Sequence, residues 1–178
     1  MPIDAVSRRP SANGRDAALQ WSESIAARVD RTRTLAGAPD DRIDALAALA
    51  DESDPGPDHG HGRRVADLSV ALAARLDWSP TRQARLHRAA RVHDAGKALL
   101  PADLLARAAP LATLEAVHVR QHAALGAALG AGILDPEQVR WVRHHHERWD
   151  GAGYPDGPAG LDIRTARRSS RSPTRGTR

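Results

Sequence analysis

Residues 79–97 read Ser79-Pro80-Thr81-Arg82-Gln83-Ala84-Arg85-Leu86-His87-Arg88-Ala89-Ala90-Arg91-Val92-His93-Asp94-Ala95-Gly96-Lys97. Ser79 before Pro80 is a helix start, because a hydroxyl accepts from the free amides of a first turn and proline's fixed φ suits the first helical position. Leu86, Ala89, Ala90 and Val92 supply the apolar positions, and the helix should stop near Gly96. It ends on His93-Asp94, an imidazole and a carboxylate, which are ligand types for hard-to-borderline divalent metals. Asp94 has two oxygens and can bridge two ions. Lys97 lies one helical turn further, where it can meet a phosphate or a leaving group.

The same grammar extends in both directions. Upstream, Val65, Leu68, Leu72 and Leu76 form an amphipathic stripe with Arg63, Arg64 and Arg75 off it, so the stripe is expected to face the core. Asp40-Asp41 caps a helix through Ile43, Leu46 and Leu49, and Asp54-Pro55-Gly56-Pro57-Asp58 is a break. Residues 16–35 carry a weaker helical pattern. Downstream, Pro101 opens a short helix to about Arg107. Thr113 caps one through Leu114, Val117, Gln121, Leu125 and Leu129. Asp135-Pro136 starts another along Val139, Val142, His146 and Trp149, followed by a loop at 151–158. No alternating strand pattern occurs, so the fold class is all-α with six or seven helices.

Composition agrees. The 178 residues include 35 Ala and 18 Leu against nine Val and five Ile, with no Phe and one Met. Alanine is the best helix former, and small side chains let helices approach closely. No run of 18 apolar residues suits a membrane span, no signal peptide is evident, and the absence of Cys rules out disulfides and thiolate metal sites. A cytoplasmic location is expected. The net charge of +4 does not point to nucleic acid, because residues 164–178 hold six arginines and no acid, leaving 20 basic and 22 acidic groups upstream. The basicity belongs to the tail, which lacks aromatic interleaving and reads as disordered.

Nine histidines punctuate the helix ends: His59, His61, His87, His93, His118, His122, His144, His145 and His146. His59 and His87 read as hydrogen-bonded or solvated residues. His118 and His122 are spaced i,i+4, which can chelate a metal and also occurs by chance on surfaces. His144-His145-His146 reads either as a solvated face or as a group with at least one ring turned inward, because His146 shares a helical face with Val139, Val142 and Trp149. Metal binding is the favoured reading of the set.

Four pieces carry a resemblance: His61-Gly62-Arg63-Arg64-Val65-Ala66, His93-Asp94-Ala95-Gly96-Lys97, Gln121-His122 with Gly126, and His144-His145-His146-Glu147-Arg148-Trp149-Asp150-Gly151-Ala152-Gly153-Tyr154-Pro155. In order and spacing these resemble the HD-GYP branch of the HD phosphohydrolases, over residues 45–163. The resemblance implies an HD-domain helical bundle with a metal site between helices. It also implies a phosphodiesterase that opens cyclic di-GMP to pGpG or GMP with two divalent ions, iron or manganese. It would make Asp94 a bridge between a site completed by His61 and His93 and a site of His122, His145 and His146. Lys97 would contact the scissile phosphate, and Gly153-Tyr154-Pro155 would shape the substrate pocket. Glu147 and Asp150 would stand behind the ligands, orienting imidazoles and bracing the glycine loop. Two cations neutralise a phosphodiester's charge, and water held between them loses a proton near neutral pH.

Two departures qualify the expectation. Three-metal members carry a Glu four residues before the first motif His, and Pro57 stands here, which favours two metals. After the GYP loop the family continues into an apolar helix with V-A-D-x-x-D-A, whose first Asp ligates metal, whereas Arg164–Arg178 holds no acid. A shifted reading frame over codons for that tail can spell such a helix, so it reads as a possible frameshift product. The chain as written is therefore expected to hold metal weakly, to turn over little, and to leave apolar surface uncovered. The division is 1–44 (an N-terminal helical or flexible segment, a possible dimer or signalling contact), 45–163 (the catalytic domain) and 164–178 (the tail). The alternatives are a non-catalytic HD-fold signalling or interaction module and a generic HD nucleotide phosphohydrolase.

Overall fold

Two of the anticipated cap-then-proline signals start helices as expected in the computed structural model, which describes residues 25–27, 29, 37–53 and 60–166. Ser79 Oγ accepts from the Arg82 amide at 3.4 Å and starts a helix at Pro80. Asp135 accepts from Glu137 and Gln138 amides at 2.9 and 3.1 Å, while Gln138 Oε1 accepts from the Asp135 amide at 2.9 Å. That reciprocal box satisfies amides the helix itself leaves open. The Asp40-Asp41 cap works differently: Ala38 is the N-cap, Pro39 is first in the helix, and Asp41 reaches back to the Ala38 amide at 3.0 Å.

The described helices are α1 (Pro39–Glu52), α2 (His61–Arg75), α3 (Pro80–Arg91), α4 (Ala102–Leu105), α5 (Thr113–Arg120), α6 (His122–Gly130), α7 (Pro136–Arg143) and α8 (Leu161–Ala166), with a 3₁₀ turn at Ala95–Leu99 between α3 and α4. No strand occurs among the described residues, so the fold is all-α, as expected. No described helix is long and apolar enough to cross a membrane. α2 packs on α3, α3 on α7, and α6 on both α7 and the 3₁₀ turn, which also rests on α1. Ile43, Leu46, Ala89, Val92, Leu99, Ala127, Leu129, Trp141 and Val142 form the shared core, and the Trp78 and Trp141 rings lie 6.0 Å apart.

The closest crossing puts Gly96 against α6. A Cβ there would stand 2.0 Å from the His122 carbonyl oxygen and 2.5 Å from the Gly126 nitrogen. Two backbones touch at that point, which sets Asp94 and His122 side by side.

Several expectations need correction. The stripe Leu68, Leu72 and Leu76 is 71%, 60% and 61% exposed, and α2 buries Gly62, Ala66 and Ala73 instead. Period identified the helix, but the small-residue side is the one that fits closely against α3. The anticipated Thr113–Leu129 helix divides at Gln121, whose amide bonds the His118 carbonyl three residues back. α7 ends at Arg143 because His144 leaves helical geometry at φ −108°, ψ 23°, so His146 and Trp149 share no helical face with Val139 and Trp149 is exposed. α1 crosses 44/45 and buries Ile43, Val29 upstream is also in the core, and α8 continues past 163 to Ala166. His59 and residues 167–178 lie outside the described residues.

Candidate metal centre

Each candidate ligand sits where a helix begins or ends. His61 opens α2, His93 and Asp94 follow α3, His122 opens α6, and His145 and His146 follow α7. Helix ends free a side chain from the helical stack while packing fixes its origin, so four separate elements aim imidazoles at one point. Two groups result. Asp94, His122, His145 and His146 bring ligand atoms within 4.8 Å of one another, as do His61, His93 and Asp94. Asp94 belongs to both and is the only carboxylate in either.

The imidazoles are pre-oriented. Nδ1 of His93, His122 and His145 each lies 2.7 Å from a backbone carbonyl three residues back, of Ala90, Val119 and Val142. A carbonyl oxygen only accepts, so each Nδ1 carries a proton, and in the neutral form of the ring Nε2 holds the lone pair turned inward. These atoms converge: His122 Nε2 is 3.3 Å from His145 Nε2 and 3.2 Å from His146 Nε2. Asp94 Oδ1 lies 3.3 Å from His122 Nε2 and 3.7 Å from His145 Nε2, and Oδ2 lies 3.4 Å from His93 Nε2. Lone pairs facing lone pairs and a carboxylate repel one another, and a cation among them removes the conflict. The residues therefore fit divalent metal.

The titration of the site points the same way. Burial by itself would raise the Asp94 carboxyl, but His122, His145, the charge of His93 and the Lys97 ammonium outweigh it and hold the group well below the carboxylate range. Burial, then His145 and His122, lowers His146 to about 4. Burial lowers His93 against the pull of Asp94. Asp94 is thus an anion, and burial favours the neutral form of His93 and His146, the form in which an imidazole ligates metal. Lys97 Nζ pairs with Asp94 Oδ2 at 2.8 Å, so its resting partner is the carboxylate.

The Gly153-Tyr154-Pro155 loop folds over this group. Tyr154 stacks on His146 at 4.6 Å and 26°, and its amide bonds the His146 carbonyl at 3.3 Å. A Cβ on Gly153 would lie 2.4 Å from the Arg148 nitrogen and 2.6 Å from Glu147 Cα, so the loop closes there only with glycine. Glu147 Oε1 accepts from the Asp156 and Gly157 amides, and Asp150 accepts from Ala152 and pairs with Arg148, so both acids brace the loop. Beside them an open basin of about 550 Å³ is lined by His145, His146, Tyr154, Arg120 and Arg148. Arg120 was not singled out in the sequence, and it stands 5.5 Å from the Tyr154 ring. His87 pairs with Asp67 at 3.3 Å, and neither His87 nor His118 joins a ligand group.

The chain is similar in sequence to several cyclic-dinucleotide phosphodiesterases. The chain is 34% identical over 138 residues to a probable cyclic di-GMP phosphodiesterase of Vibrio cholerae, covering 67% of this chain and 31% of the relative. It is 36% identical over 108 residues to a cyclic di-GMP phosphodiesterase of Pseudomonas aeruginosa (58% of this chain, 25% of the relative). To a 3'3'-cGAMP-specific phosphodiesterase of Vibrio cholerae it is 32% identical over 108 residues (58% and 24%). The chain therefore spans 24–31% of the length of these relatives. The family model described as HD domain matches residues 44–168, most of the chain, and with that match the chain belongs to the HD domain family.

Proposed function

We propose that residues 39–166 form a metal-dependent phosphodiesterase domain that hydrolyses a cyclic dinucleotide, cyclic di-GMP in the first instance, to pGpG or GMP. The observation that carries this reading is the pair of ligand groups sharing Asp94. His61, His93 and Asp94 would hold one divalent cation and Asp94, His122, His145 and His146 a second, iron or manganese. When bound, such a pair supplies charge neutralisation of the phosphodiester and an acidified water. The chain's own residues do the rest. Backbone carbonyls fix His93, His122 and His145, Lys97 balances Asp94 and would contact the scissile phosphate, and Gly153 and Tyr154, followed by Pro155, form one wall of the basin. Glu147 and Asp150 hold that wall. Arg120 and Arg148 give the basin a cationic rim suited to a substrate with two phosphates.

One carboxylate across two sites is a thin anionic complement, so weak metal retention and slow turnover are expected of this chain. A messenger made and used inside the cell would put the domain in the cytoplasm. The N-terminal segment, residues 1–44, is proposed as a contact for a second copy or a signalling partner. A second substrate, 3'3'-cGAMP, is favoured by a relative named for it. The test is chromatographic assay of cyclic di-GMP and 3'3'-cGAMP with the purified chain in excess manganese. The expected result is slow opening of the ring, abolished by chelator and by Asp94→Asn. Intact substrate after prolonged incubation of the metal-loaded chain would contradict the proposal and favour a binding module.

A further inference from the structure

A third cluster lies outside the metal centre. His144, Glu147 and Asp156 also bring polar atoms within 4.8 Å of one another, and His144 is 5% exposed. It is not built for a cation, because a cation is already there. Arg143 grips Asp156 with two parallel bonds, Nε to Oδ2 at 2.8 Å and Nη2 to Oδ1 at 2.7 Å, and His144 Nε2 lies 2.8 Å from Oδ2. On the other side of the loop, Glu147 Oε1 accepts from the amides of Asp156 and Gly157 at 2.8 and 3.2 Å. Asp156 therefore fastens the far end of the loop to the two residues that immediately precede His145. Its near end leaves from His146. A bidentate guanidinium–carboxylate pair adds directional constraint as well as attraction.

We propose that Asp156, clamped by Arg143 and His144, is the positioning residue that keeps the 147–157 loop closed and seats Tyr154 against His146. The clamp ties the substrate wall and the ligand pair to the end of one helix, so loop and ligands move as a unit. Its bearing on catalysis rests on the hydrolase reading above, but the clamp itself does not.

Tyr154 is the only tyrosine in the chain, which makes it a private probe. With ring-labelled tyrosine in the metal-free, substrate-free full chain, the wild type should give one NMR signal, displaced by the stacked imidazole. Asp156→Ala and Arg143→Ala should each move that signal to the position of free tyrosine and abolish slow exchange of the Asp156 and Gly157 amides. Asp156→Glu should restore part of the displacement, and the double variant should match either single one. Asp40→Ala, which cuts a surface pair with Arg88, should change nothing. The indole signals of Trp78 and Trp141 report whether the core is intact. Should Asp156→Ala lose them, Arg143→Lys, which keeps the charge and loses the fork, should still give an intermediate displacement. An unmoved tyrosine signal in folded Asp156→Ala or Arg143→Ala would overturn the proposal. So would failure of Asp156→Glu to restore any of it. No metal or substrate enters the experiment, so its failure leaves the hydrolase reading intact, and inactivity of the chain leaves the clamp intact.

Discussion

Replacing Gly96 by alanine tests the link between backbone packing and the metal centre. The new Cβ would begin 2.0 Å from the His122 carbonyl oxygen, and ordinary contact starts near 3.4 Å, so the 3₁₀ turn and α6 must part by about 1.4 Å. Overpacking costs roughly 1–3 kcal/mol where side chains can rotate aside. Both partners here are backbone, so the upper end, about 3 kcal/mol, is the expected floor. At this size about 2–4 °C of melting temperature accompany each kcal/mol, giving a fall of about 6–12 °C. The same movement separates Asp94 from His122, now 3.3 Å apart, and should cost at least ~10-fold in manganese affinity. Gly132→Ala is the control, with nothing within 4 Å of its Cβ and a φ of +86°, so it should lose only about 1–2 kcal/mol and no affinity. Differential scanning calorimetry and manganese titration read both effects. A Gly96→Ala protein melting within 3 °C of wild type with unchanged affinity would refute the reasoning.

Three further outcomes follow from the geometry. His122→Ala removes the ligand that touches Asp94, His145 and His146 and should weaken manganese binding by about 100-fold in calorimetry, whereas His87→Ala should leave it unchanged. Asp135→Ala removes the α7 cap and the Arg85 pair and should cost about 1 kcal/mol or more in denaturant unfolding at pH 7. Its carboxyl is lowered in the fold by Arg85, so that contribution is complete above the unfolded value near 3.8 and disappears as pH falls towards the folded one. Metal-free protein should also lose thermal stability as pH falls from about 6.5 to 4. His93 and His146 are lowered in the fold, so unfolded chains take up those protons first. A flat melting profile over that window would count against the buried neutral imidazoles.

How much of this was legible in the sequence depends on whether the deciding signal is local. Ser79-Pro80 and Asp135-Pro136 are complete within four residues and their caps formed as expected. The expected ligands His61, His93, Asp94, His122, His145 and His146 stand together, and motif order singled them out where spacing alone did not. The Leu68, Leu72 and Leu76 stripe misled because period reports a helix and an apolar side without saying which side a neighbour can approach; Ala66 and Ala73 permit the closer fit. The end of α7 at Arg143 is set by how the loop beyond it is held, through Asp156 thirteen residues away. Arg120 reaches the basin only because the chain turns at Gln121, and no local pattern marks that.

The central claim is that Asp94 joins two cation sites. Electron paramagnetic resonance of the purified metal-free chain titrated with manganese(II) tests it most directly. Two equivalents per chain with a spin-coupled signal, reduced to uncoupled manganese by Asp94→Asn, is the predicted result. A single uncoupled six-line manganese, or none retained at millimolar concentration, would contradict it.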